Sequence, residues 1–208
     1  MFIGISGIIG VGKSTLTESL ANYYGFVPYF EPVKENLYLD DFYKDPKKYG
    51  AIMQLYLLTK RFKQHQEVVW SGKGAVQDRT IYEDTIFADM LYKDGLIEKR
   101  DYDMYVEHFN LMKRYLIYPD LIIHLNVDVD VALSRIRDRS RGCETGITID
   151  YLKKLKAGYD EFVKEMHKYT QVLVIDYNKF QPIEEIAWQI KTYTTLNSID
   201  VKNYGRYK

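Results

Sequence analysis

The 208-residue chain balances 29 Lys and Arg against 29 Asp and Glu, and a net charge of zero argues against nucleic acid as the main partner, which calls for a basic excess. Its single cysteine, Cys143, rules out an internal disulfide, no signal-like apolar segment precedes the first apolar run, and no stretch approaches the roughly 18 apolar residues of a membrane span. The expectation is one compact domain over residues 1–208 in a reducing cytoplasm, with most of the 20 tyrosines covering the edge of its core.

The apolar run Phe2–Ser6 leads directly into Gly7-Ile8-Ile9-Gly10-Val11-Gly12-Lys13-Ser14-Thr15. A strand, a glycine loop and a helix start in this order form a phosphate-binding loop. Gly7, Gly10 and Gly12 let successive N–H groups turn toward an oxyanion, Lys13 reaches the β- and γ-phosphates, and the Ser14 hydroxyl can ligand Mg²⁺. The helix over 14–24 adds the partial positive charge of its N-terminus.

Further strands are predicted at Val27–Glu31, Gly74–Asp78, Leu121–Val127 and Val172–Asp176. Helical patterns span 46–70, 81–95, 101–117, 129–138, 148–168 and 182–195. Alternation of this kind predicts an α/β fold with a five-stranded parallel sheet flanked by helices on both faces, and ligands then collect beyond the carboxyl ends of the strands. Glu31 stands at such an end, and Pro32 biases it toward an extended conformation that suits a general base facing the phosphates. Asp78-Arg79 ends the third strand with a carboxylate able to bind Mg²⁺ and a guanidinium able to contact a transferring phosphoryl group. Without further context each also reads as an ordinary charge: Glu31 as a helix cap, Asp78 and Arg79 as sheet-edge pairs. Gln54, Leu58 and Arg61 share one helix stripe, which read alone is a surface stripe with an Arg61–Asp84 salt bridge.

The glycine loop, Glu31-Pro32-Val33, Tyr43, the segment from Gln54 to Arg61, Asp78-Arg79-Thr80-Ile81-Tyr82-Glu83-Asp84 and the arginine-rich run from Arg135 to Glu144 together resemble the deoxyribonucleoside kinases, in that family's order and over nearly the whole chain. The Arg61 and Asp84 pairing resembles the deoxycytidine, deoxyguanosine and deoxyadenosine branch, and the short chain and lean loops resemble its bacterial deoxyadenosine kinases. The resemblance implies a P-loop kinase fold with an arginine-rich lid at about 135–146, and transfer of the γ-phosphoryl group of ATP to a 5′-hydroxyl in deoxynucleotide salvage. Deoxyadenosine is the implied acceptor, with deoxyguanosine and deoxycytidine possible.

On that resemblance Glu31 is the base, while Arg79, Lys13 and Mg²⁺ stabilise the transferring group, with Ser14 and Asp78 nearest the metal. The family more often has glutamate where Asp78 stands, so a water can bridge the gap. Tyr43 and Glu144 resemble the pair that holds the 3′-hydroxyl, Gln54 presents a carboxamide to the base edge, and Asp84, held by Arg61, accepts from an exocyclic amine. Arg135 and Arg139 close the lid over ATP, Arg141 braces Glu144, and the 177–180 loop lies beside the adenine of ATP. The helices at 46–70 and 101–117 carry apolar residues beyond one face, and the family pairs such helices across a two-fold axis, which implies a homodimer.

Two rivals remain open. A thymidylate kinase would share the glycine loop, the Asp-Arg pair and a lid, but needs basic residues near Glu31-Pro32 for the acceptor's phosphate, where Phe30 and Val33 stand. A non-catalytic nucleotide switch for guanine would show Asn-Lys-x-Asp, whereas Asn178-Lys179 continues into Phe180-Gln181.

Overall fold

The computed structural model describes residues 1–32, 36–139 and 146–197. Strand β1 is Phe2–Ser6, α1 Lys13–Tyr24, β2 Val27–Tyr29, α2 Leu39–Lys44 and α3 Pro46–Trp70. Strand β3 is Ala75–Asp78, followed by a 3₁₀ turn Ile81–Glu83, α4 Asp84–Lys93 and α5 Lys99–Lys113. Then come β4 Leu121–Asn126, α6 Val129–Asp138, α7 Ile149–Met166, β5 Gln171–Asp176 and α8 Ile183–Leu196.

The five strands form one sheet in the order β2-β3-β1-β4-β5, every neighbour parallel. All five residues of β1 are buried, as its central place between two helical layers requires. From β1 the chain departs toward β2, whereas from β4 it departs toward β5. The two connections diverge between adjacent strands, which opens the crevice in which such sheets hold ligands, and the glycine loop sits at its mouth.

The parallel five-stranded α/β architecture agrees with the sequence reading, and the differences are local. Strand β2 stops at Tyr29, where its pairing with β3 ends at Gln77, so Glu31 lies two residues beyond the strand. The segment predicted as one helix at 81–95 begins as a 3₁₀ turn, because Glu83 folds back on the Thr80 N–H in a capping box before α4 starts. Helix 101–117 starts earlier and ends at Lys113. Helix α2 has no counterpart among the predicted elements: six residues have little helical stability of their own, and this turn stands because Phe42 packs with Met53, Leu91 and Ile97. Helix α3 starts where local chemistry directs it, with Asp45 accepting from the Lys48 N–H and Pro46 at the first helical position. It buries Gln54, Leu58, Arg61, His65 and Val68 along one stripe, so the stripe faces inward and not solvent.

Candidate active site

Between β1 and α1 the backbone takes positive φ at Gly7, Gly10 and Gly12. At Gly10 (φ 84°) a side chain would be both strained and blocked, since a Cβ would lie 2.6 Å from the Ala132 carbonyl oxygen. Gly12 caps α1 without any side-chain acceptor, which leaves the first-turn N–H groups for an anion. Lys13 is buried, and its Nζ donates to the carbonyls of Gly7 (3.0 Å) and Ile8 (2.9 Å). Burial and the neighbouring Arg79 lower its pKa to about 8. Ser14 and Thr15 are exposed at the helix start, Ile8 and Val11 are buried, and Ile9 packs partly against the core.

The Ser14 hydroxyl donates to Asp78 Oδ2 at the tip of β3, while Asp78 Oδ1 is buried with no partner among the described residues. Burial raises the Asp78 pKa, with Lys13 opposing. An exposed hydroxyl beside a carboxylate with an orphaned buried oxygen is a donor set that suits Mg²⁺.

Arg79 is the one described non-glycine residue with positive φ, at 67°. Such a backbone costs about 1–3 kcal/mol and persists where surrounding contacts over-determine it. Its N–H donates to the Ile5 carbonyl (2.9 Å), its Nε lies 3.3 Å from Glu31 Oε1, and its guanidinium lies over the Phe87 ring at 4.8 Å. Tyr159 accepts a hydrogen bond from its Nη1.

Arg61 links two carboxylates, donating through Nη2 to Glu31 and through Nη1 to Asp84. Burial alone would raise the Glu31 pKa, but Arg79, Arg61 and Lys13 outweigh it and hold it down at about 2. Asp84 is the opposite case: burial pushes it up to about 7 against the pull of Arg61 and Arg79. Gln54 Nε2, Asp84 Oδ2 and the Tyr105 hydroxyl are buried without partners among the described residues. Buried polar atoms of this kind normally find partners, so orphans at Asp84 and Tyr105 near Arg61, and at Gln54 on the same buried stripe of α3, fit a ligand that supplies them.

Tyr43 stands on α2, partly buried against both the main core and the Phe42 cluster. Arg135 is turned inward from α6: it donates to the carbonyls of Val11 (3.1 Å), Tyr177 (2.9 Å) and Asn178 (3.0 Å), and lies over the Phe180 ring at 4.2 Å. Arg139 is exposed at the end of α6. Val33, Arg141, Cys143 and Glu144, with the middle of the proposed lid and the tail after Asn197, lie outside the described residues.

Sequence reasoning missed three buried groups. Glu83, fully buried, accepts from the Tyr159 hydroxyl (2.9 Å) and the Thr80 N–H (3.0 Å). The Thr80-x-x-Glu83 spacing was legible as a capping box, whereas Tyr159 was one tyrosine among 20 with nothing to mark it. His124 shares a hydrogen bond with Ser6 (3.1 Å), and burial lowers its pKa to about 4, so the ring is neutral at pH 7.

The sequence model of the deoxynucleoside kinases matches residues 3–196. A deoxyadenosine kinase of Dictyostelium discoideum is 44% identical over 207 residues, 98% of this chain and 84% of that protein. A deoxyadenosine/deoxycytidine kinase of Bacillus subtilis is 39% identical over 164 residues, 77% of this chain and 76% of that protein. Among solved structures, a deoxyadenosine kinase from M. mycoides with bound dATP aligns with a TM-score of 0.81 at 33% identity, covering 92% of this chain and 99% of that one. The same kinase with bound dCTP aligns at a TM-score of 0.79 over 96% of this chain and all of that one. With a family match across almost the whole chain and the phosphate loop at the mouth of the sheet crevice, this chain belongs to the deoxynucleoside kinase family and is an ATP-dependent kinase of deoxynucleosides.

Proposed function

We propose that the preferred acceptor is deoxyadenosine, phosphorylated at its 5′-hydroxyl with ATP and Mg²⁺ in one domain closed by a lid at about 135–146. The observation that carries this reading is the convergence of Glu31, Arg79, Lys13 and Asp78 on the glycine loop, beside the orphaned atoms of Gln54 and Asp84. The 5′-oxygen attacks the γ-phosphorus as the bond to the β–γ bridging oxygen breaks. ADP leaves, and the hydroxyl proton passes to the Glu31 carboxylate. A base held near a pKa of about 2 is weak, but it is ionised at every physiological pH. In a loose transition state the alcohol proton leaves late, so position matters more than base strength.

Arg79 and Lys13 stabilise charge on the transferring group, and the glycine loop from Gly7 to Thr15 holds the donor phosphates. Ser14 and Asp78 would hold Mg²⁺, which neutralises phosphate charge when bound. Gln54 offers adenine a donor and an acceptor, and Asp84 Oδ2 accepts from the exocyclic amine while Arg61 occupies Oδ1. Tyr43 and Glu144 hold the 3′-hydroxyl. Arg135 and Phe180 flank the donor's adenine, and Arg139 meets its phosphates from the lid.

A homodimer in the cytoplasm completes the proposal. Helix α5 exposes Met104 and Leu111, seven residues apart on one face, and beside it an apolar groove of about 740 Å³ runs between α4, α5 and α7. Among the described residues no helix is long and apolar enough to cross a membrane.

A panel of deoxyadenosine, deoxyguanosine, deoxycytidine, thymidine and thymidine monophosphate with Mg-ATP tests the proposal. Deoxyadenosine is expected to give the highest kcat/KM. A higher value for the monophosphate would identify a nucleotide kinase instead, and no turnover with any acceptor would leave a binding module.

A further inference from the structure

We infer that Glu83 and Tyr159 are positioning residues that fix the Arg79 guanidinium at the phosphoryl-transfer site, with Tyr159 relaying the hold of Glu83. The inference rests on the reading of Arg79 as a group that contacts the transferring phosphoryl.

Arg79 lies at the tip of β3 in a left-handed conformation, between two carboxylates. Glu31 pulls from one side, at 3.3 Å from Nε. Glu83 stands on the other, but its Oε2 is 3.6 Å from Nη1, beyond a good hydrogen bond. The Tyr159 hydroxyl fills that gap. A phenol has one proton and two lone pairs, and the proton is given to Glu83 Oε2 at 2.9 Å, so the oxygen presents a lone pair to Arg79 Nη1. Arg79 Nη1 can only donate, so the hydroxyl turns its proton away from the guanidinium and toward Glu83 Oε2, which accepts it. Glu83 is held in turn through its other oxygen by the Thr80 N–H at 3.0 Å.

The framework around this relay is built for close approach. Gly158, next to Tyr159 on α7, faces α4 so tightly that a Cβ would lie 2.6 Å from Ile86 Cγ2. The ring of Tyr159 packs against Phe87, Phe162 and His124. Arg79, Glu83 and Tyr159 are each at most 2% exposed, so no water competes for the three contacts. Preorganisation has a specific use here. When Glu31 takes the 5′-hydroxyl proton it loses its charge and its pull on Arg79, and the opposite side must then hold the guanidinium in place.

The test is a double-mutant cycle in the full-length protein, with deoxyadenosine and Mg-ATP. Tyr159→Phe removes only the hydroxyl, and Glu83→Gln places an amide, which can donate to the hydroxyl and so misdirect it, where the Glu83 oxygen accepts. Each single variant is expected to lower kcat about tenfold with the deoxyadenosine KM within about twofold of wild type. In an Arg79→Ala background the same changes are expected to have no further effect, because the group they position is gone. If Arg79→Ala cuts kcat steeply and Tyr159→Phe costs the same factor in both backgrounds, the positioning role is overturned while the reading of Arg79 stands. An Arg79→Ala variant with unchanged kcat would overturn both. Should Tyr159→Phe fail to fold, the Glu83→Gln arm of the cycle decides by the same criteria.

Discussion

Arg61 donates to Glu31 with one guanidinium nitrogen and to Asp84 with the other, so a single buried cation joins the proposed catalytic base to the proposed base-reading carboxylate. The Arg61–Asp84 pair is therefore no isolated salt bridge. Its loss reaches the chemistry as well as the pocket.

The first consequence is a pH effect. Glu31 is held near a pKa of about 2, and its base form is present above that value. Removing Arg61 together with Asp84, as Arg61→Met with Asp84→Ala, leaves Arg79 and Lys13 to hold the carboxylate, so its pKa rises toward the ordinary range. Between pH 4 and 8 the wild type is expected to show no acid limb of kcat/KM from Glu31, whereas in the double variant such a limb is expected to enter the lower end of that range. A double variant that shows no such limb either would mean that Arg61 does not set the charge state of the base.

The same pair tests base choice. Asp84→Ala alone leaves Arg61 with Glu31 as its partner, so the several kcal/mol lost when a buried ion is stranded is only partly incurred. Deoxyadenosine turnover should still fall by about 10²-fold, because the acceptor for the exocyclic amine is gone and a cation faces the pocket. The double variant should recover activity and favour thymidine, which carries a carbonyl where cytosine carries an amine. Strictly additive kinetics with unchanged base preference would reduce the pair to a structural salt bridge.

Lys13 carries a third prediction. Burial and Arg79 lower its pKa to about 8, and phosphate favours its charged form. ATP affinity is therefore expected to be full below pH 8 and to weaken above it, with proton uptake on binding near pH 8. Calorimetry in buffers of different ionisation enthalpy measures that uptake. Affinity that stays flat from pH 7 to 9.5 would show that Lys13 does not titrate in the free enzyme.

Much of this architecture was written locally. The glycine loop, the capping of α3 by Asp45 and Pro46, and the fully apolar β1 each follow from a few adjacent residues, and the parallel sheet follows from their alternation. The inward turn of the Gln54–Arg61 stripe was not local: helical spacing fixes that these residues share a face, while only packing against α4, α5 and the 3₁₀ turn decides that the face is buried. Arg135 shows the same limit, since a basic run on a helix does not reveal that one arginine folds onto the carbonyls of two distant loops. Glu83 and Tyr159 meet across 76 residues of chain, and no periodicity records that contact.

The most direct test of the account is the Glu31→Gln variant, assayed for deoxyadenosine binding and for turnover. The carboxamide is nearly isosteric with the carboxylate and can still hydrogen-bond the 5′-hydroxyl, but it cannot take its proton. The deoxyadenosine Kd should stay within a few-fold of wild type while kcat falls on the order of 10²-fold or more. A variant with near-normal kcat would contradict the assignment of Glu31 as the base.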